Sequence, residues 1–149
     1  MNRTKKDFDV VDIKGKKFLY SDKVEDHFFN PRNVLKDKAD LSRFNATAKI
    51  GSPACGDVMK IYLAIDPKTE RILDFKWKTF GCASAIASTS ILSEMALGKT
   101  IDQAYKISAR QIVEKLGGLP QKKIHCSVLG DQALRKAIDN FRKKVSRAK

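Results

Sequence analysis

The sequence predicts an α+β fold, a small antiparallel sheet packed by several helices with a metal site at one end. Two runs, 59–65 and 73–78, alternate apolar and polar residues around the turn-forming Asp66-Pro67-Lys68-Thr69-Glu70. After Gly81 the pattern becomes helical, and Leu134, Ala137, Ile138, Phe141 and Val145 recur at helical spacing against Arg135, Lys136, Asp139, Arg142 and Lys143. Strands followed by a run of helices is the order of an α+β domain. With 149 residues the chain holds one domain with a core of its own.

Residues 1–19 mix charges with a few apolar residues and are expected to form a basic, poorly ordered extension without chemistry, leaving 20–149 as the single domain. Ser21 is placed to cap a short helix that carries Val24 and Phe28 on one face and stops at Pro31. Residues 32–46 are polar and irregular, and 46–51 are a candidate third strand. The first strand offers Met59, Ile61, Leu63 and Ile65 as its apolar face; the second offers Leu73, Phe75 and Trp77, opposed by Asp74, Lys76 and Lys78. The next helix, 83–97, is rich in Ala and Ser, which lets it lie close to the sheet, and Gly98 ends it. Thr100 with Gln103 and Ser108 with Gln111 form two capping boxes, and Gly117-Gly118 stops the second helix.

Hydrophobic residues make up 42% of the chain and charged residues 32%, the balance of a soluble globular protein. No run approaches the length of a membrane span, and no secretory leader is evident. Asp7, Asp9 and Asp12 argue against a transit peptide, so the expected location is the cytoplasm, with a mitochondrion-related organelle as the alternative. The net charge of +13 favours anionic partners, yet the cations run from Arg3 to Lys149 instead of forming one block. A dedicated nucleic-acid role is therefore not the preferred reading, and neither an aromatic platform nor a Cys-x-x-Cys pair supports it.

Three widely spaced cysteines, Cys55, Cys82 and Cys126, do not fit a secreted disulfide framework. Each lies where structure changes: Cys55 in the Gly-rich entrance to a strand, Cys82 between strand and helix, Cys126 shortly before the last helix. Loops at one end of a sheet can bring such residues together. A helix start favours thiolate over thiol, and so favours metal binding. His125 can add an imidazole nitrogen and Asp57 a carboxylate oxygen. A lone cysteine is more often an inert buried thiol, and His27, with no such neighbours, is expected to be structural. Permanent electron-transfer clusters usually take four thiolates, whereas this chain offers three; a hard carboxylate in the fourth place suits transient holding.

The segments Gly51-Ser52-Pro53-Ala54-Cys55-Gly56-Asp57, Thr79-Phe80-Gly81-Cys82-Ala83-Ser84-Ala85-Ile86-Ala87-Ser88 and Lys123-Ile124-His125-Cys126-Ser127-Val128-Leu129 resemble the iron-sulfur scaffold proteins IscU and the N-terminal domain of NifU. Tyr20-Ser21 and Asn30-Pro31-Arg32-Asn33-Val34 resemble the same family's first helix and turn, so the likeness runs from about Tyr20 to the end of the last helix. It implies a three-stranded antiparallel sheet with a labile 2Fe-2S cluster at its tip, held by Cys55, Cys82 and Cys126 with Asp57 or His125. It further implies that Cys126 first accepts persulfide sulfur, that Asp57 keeps the cluster labile and that Lys123 supports the loop.

On this likeness the protein is a scaffold or carrier and not an enzyme. A cysteine desulfurase, ferrous iron, an electron or iron donor and apo iron-sulfur recipients are its implied partners, with self-association left open. Zn²⁺ can fill the same site in the apo form. Leu119-Pro120-Gln121-Lys122-Lys123 stands where IscU proteins carry the Leu-Pro-Pro-Val-Lys recognised by a dedicated chaperone, which argues against chaperone recognition, and Leu35 replaces the usual glycine. The chain stops before the further cluster domains of full-length NifU. The alternatives are a zinc-dependent, SufU-like persulfide carrier, which generally has an insertion between the second and third cysteines, and a basic nucleic-acid module with a structural zinc site.

Overall fold

The computed structural model describes residues 10–11, 17–18, 21–36, 40–52, 57–81, 83–118 and 124–148, with backbone alone at 10–11, 17–18, 52, 57, 124–128 and 148. Within the N-terminal extension, β1 (Val10–Val11) and β2 (Lys17–Phe18) pair antiparallel, a ladder that the sequence reading of a poorly ordered arm does not include. Then follow α1 (Asp22–Phe29), β3 (Ala46–Ser52), β4 (Asp57–Ile65), β5 (Ile72–Phe80), α2 (Ala83–Ala96), α3 (Ile101–Tyr105), α4 (Ala109–Lys115) and α5 (Ile124–Ala148). The larger sheet is antiparallel in the order β3-β4-β5, so the candidate third strand is present beside β4.

Met59, Ile61, Leu63 and Ile65 are buried as their alternation predicts. Beta5 departs from its predicted pattern at one residue. Ala64 pairs with Asp74 and Ile65 with Ile72, so Leu73 is the extra residue of a β-bulge. The bulge buries Ile72, Phe75 and Trp77 and leaves Leu73 63% exposed, which corrects the assignment of Leu73 to the apolar face. At the β4–β5 turn, the Lys68 amide donates to Asp66 Oδ1 (2.9 Å) and the Glu70 amide to the Asp66 carbonyl (2.8 Å).

Both sheet edges are covered. Along β3, Lys136 Nζ and Asn140 Nδ2 of α5 donate to the carbonyls of Lys49 (3.1 Å) and Thr47 (2.8 Å). Along β5, Val34 forms a parallel bridge with Trp77, and the Leu35 amide donates to the Trp77 carbonyl (2.9 Å). Residues 33–35 are thus less irregular than their polar composition suggests. The left-handed residue of this turn is Asn33 (φ 64°), and Leu35 is buried.

Alpha2 packs through its small side chains as expected, and two of its buried hydroxyls donate within the helix. Thr89 donates to the Ala85 carbonyl (2.7 Å) and Ser93 to that of Ser90 (2.6 Å). Both predicted capping boxes are closed, Thr100 with Gln103 and Ser108 with Gln111. After α4, the Gly117 amide bonds to the Glu114 carbonyl and the Gly118 amide to that of Val113, a Schellman stop that needs the positive φ of Gly117 (79°). On α5, Leu134, Ala137, Ile138 and Phe141 are buried, whereas Val145 is 37% exposed near the helix end. Among the described residues no helix is long and apolar enough to cross a membrane.

Candidate metal centre

Beta3 ends at Ser52 and β4 begins at its register partner Asp57, so residues 53–56, with Cys55, connect neighbouring strand ends. Val58 pairs with Phe80, which sets the exit from β5 at that same end. Alpha2 starts at Ala83, the residue after Cys82. The strand ends that flank two of the three cysteines in sequence are therefore adjacent by register alone.

Alpha5 brings the third. Asn140 contacts Thr47 and Lys136 contacts Lys49, so α5 runs antiparallel to β3, with its N-terminus toward Ser52. Gly130 lies level with Leu92, Met59 and Thr89: a Cβ added there would sit 3.2, 3.8 and 3.9 Å from their side chains. From that level, Asp57 is two strand residues away, Ala83 six helical residues and Cys126 four, distances of about 7, 9 and 6 Å along the three elements. All three steps lead to the same end of the sheet.

Alpha5 begins at Ile124, earlier than its apolar periodicity indicates. His125 and Cys126 therefore lie in its first turn, which corrects the placement of Cys126 before the helix. Their backbone sits where unpaired amides and the helix dipole favour negative charge. Cys55, Cys82 and Lys123 lie outside the described residues, as do the side chains of Asp57, His125 and Cys126.

Behind this end, the turn after α1 is fastened to α2 and β5. The Trp77 indole donates to the Arg32 carbonyl (2.7 Å), the Arg32 amide to Ser90 Oγ (2.9 Å) and Asn33 Nδ2 to Ser93 Oγ (2.9 Å). His27 is buried with Nδ1 2.7 Å from Ser90 Oγ and Nε2 3.4 Å from Glu94, the structural histidine expected from its sequence context. Burial and the nearby Arg32 guanidinium hold its pKa below the ordinary value, against Glu94 and Asp26. On α5, burial pushes the Asp131 carboxyl up although Arg135 lies 2.7 Å away. The anchoring roles of Ser90, Ser93 and the Trp77 indole are not visible in periodicity, because they depend on which helix face meets which turn.

Comparison with known proteins follows this architecture. A model of the NifU-like N terminal domain matches residues 19–148. The chain belongs to the NifU-like N-terminal domain family. It is 52% identical over 126 residues to the iron-sulfur cluster assembly scaffold protein IscU 1 of Archaeoglobus fulgidus, covering 84% of this chain and 78% of that protein. It is 45% identical over 130 residues to the iron-sulfur cluster assembly scaffold protein IscU of Aquifex aeolicus, covering 87% and 80%. Against the nitrogen fixation protein NifU of Trichormus azollae identity is 45% over 125 residues, 83% of this chain but 42% of that longer protein.

The fold of this family member also matches two crystal structures of low identity. A putative iron-sulfur cluster assembly scaffold protein for the SUF system from Fervidobacterium islandicum superposes with TM-score 0.62 at 22% identity, over 80% of this chain and 96% of that one. The N-terminal part of a NifU-like protein from Brucella abortus gives 0.63 at 18%, over 83% and 94%. The α+β reading with a three-stranded antiparallel sheet is thus borne out, as is the family resemblance.

Proposed function

We propose that this protein is a scaffold on which a labile 2Fe-2S cluster is assembled from ferrous iron and desulfurase-derived sulfur and then passed to apoproteins. One observation carries the reading: β3–β4, β5–α2 and the start of α5 meet at one end of the sheet in a chain half identical to a cluster assembly scaffold protein. Cys55, Cys82 and Cys126 are the proposed thiolate ligands, with Asp57 or His125 as the fourth. The position of Cys126 in the first turn of a 25-residue helix supports thiolate character, the form that attacks a desulfurase persulfide. Lys123, next to that turn in sequence, is the proposed supporting cation. Zn²⁺ is an expected occupant of the apo site, given thiolate, imidazole and carboxylate donors.

The soluble-scaffold reading places the protein in the cytoplasm, working with a cysteine desulfurase, an electron or iron donor and apo recipients. Anaerobic reconstitution with ferrous iron, a desulfurase and cysteine tests it. The expected result is a visible chromophore that transfers to an apo-ferredoxin and is lost in Cys55→Ser. A colourless protein that binds only zinc, and carries trapped persulfide on Cys126, would replace the scaffold by a sulfur carrier.

A further inference from the structure

The helices pack on one face of the sheet; the opposite face carries a charge pattern that cluster chemistry does not use. Register sets Lys49 opposite Lys60 and Lys60 opposite Lys78, a straight row across all three strands. The adjacent row is Thr47, Tyr62 and Lys76, and the row nearer the cysteine segments is Gly51, Val58 and Phe80. Directly opposed side chains stand about 5 Å apart at Cβ, and like charges there destabilise a sheet.

Lys49 is exposed and Lys60 half-buried, and among the described residues no ion pair reaches either of them. Lys136 reaches in from α5 and helps line an open depression of about 330 Å³ with Thr47, Lys49, Lys60, Tyr62 and Asn140. Asp74, on the same face by register, is already engaged by Arg43 (3.3 Å) and Lys76 (3.7 Å). At the end of β5, Phe80 is 82% exposed.

We propose that this lysine row with Phe80 is the docking surface for a partner protein presenting an acidic face. Charge complementarity selects the partner and speeds encounter, while an exposed aromatic ring among charges supplies the apolar anchor such interfaces use. A protein fits better than single-stranded nucleic acid, because Tyr62 is packed against Phe44 (5.9 Å between centroids), so that among the described residues of this face no pair of free aromatic rings is left for stacking bases. The row lies two residue pairs from Val58 and Phe80, so a docked partner reaches the end where β3–β4, β5–α2 and the start of α5 meet. Its identity as a recipient or donor of the cluster rests on the scaffold reading; the docking surface does not.

The test measures binding of a fluorescently labelled acidic apo-ferredoxin to the apo protein at low and moderate salt. Two doubly neutralised variants are compared, Lys49→Gln/Lys60→Thr on the sheet and Lys99→Gln/Lys106→Gln on the helical side. The expected result is affinity weakened about tenfold, with a shallower salt dependence, in the sheet variant alone. Its melting temperature should rise, since like-charge repulsion is relieved, which separates lost docking from lost folding. Equal weakening in both variants, unchanged affinity in the sheet variant, or no binding by the wild type would each overturn the proposal. So would tighter binding of a labelled single-stranded RNA that is lost only in the sheet variant. Cluster reconstitution is followed separately, so its failure would sink the scaffold reading and leave the docking result standing.

Discussion

His27 joins three segments through one ring: it belongs to α1, touches Ser90 and Glu94 of α2, and lies beside Arg32 of the following turn. Buried and next to a guanidinium, it resists protonation in the folded protein while the unfolded chain titrates at the ordinary value of 6.5. The unfolded state therefore binds more protons as pH falls below that value, so the stabilisation present above it is lost down to the depressed folded pKa. Melting temperature should fall as pH drops through and below the ordinary histidine value of 6.5, and His27→Asn should flatten that part of the curve. An unchanged slope in the variant would assign the pH dependence to other groups. That His27 is structural was legible from its lack of ligand-type neighbours in sequence; its partners were not, because Ser90 and Glu94 are more than sixty residues away.

At the scale of elements, caps and stops were the most legible features, since they depend on side chains three residues apart. Both capping boxes and the Gly117-Gly118 stop form as read. Gly117 has a second role that only packing discloses. A Cβ there would approach Ser21 Cβ at 3.2 Å, and the Ser21 hydroxyl, which caps α1, also donates to the Leu116 carbonyl. Gly117→Ala should cost about 1–2 kcal/mol through the left-handed backbone, with crowding of the α1 cap added. Urea denaturation measures this, and a loss under about 0.5 kcal/mol would show that the turn relaxes without strain. The β-bulge at Leu73 is the opposite case. Period-two counting carries Leu73 inward, whereas pairing with β4 turns it out, because strand register answers to the neighbouring strand.

For the whole molecule, the decisive feature is the meeting of the β3–β4, β5–α2 and α5 ends, whose cysteines follow one another at intervals of 27 and 44 residues in sequence. Asp57, the first residue of β4, stands at that end by register, and the scaffold reading gives its carboxylate the exchangeable position on iron. Asp57→Ala should retain a reconstituted cluster longer and transfer it on the order of tenfold more slowly, equivalent to about 1.4 kcal/mol of barrier. Transfer kinetics to apo-ferredoxin check this, and faster transfer would remove that role from Asp57. The basicity divides at this scale too. A net charge of +13 is a property of composition, but the row Lys49, Lys60 and Lys78 exists only because three strands pair in one register.

By itself the sequence determined what local rules govern. Alternation marked β4 and most of β5, caps bounded the short helices, and the three cysteine motifs marked the family. Tertiary structure decided the rest: the bulge that exposes Leu73, the early start of α5 that puts His125 and Cys126 in a helical turn, and the common end at which β3–β4, β5–α2 and the start of α5 meet. The physical reason is range. Caps and periodicity act within a few residues of the chain, whereas register, helix direction and burial are settled by contacts between residues far apart in it.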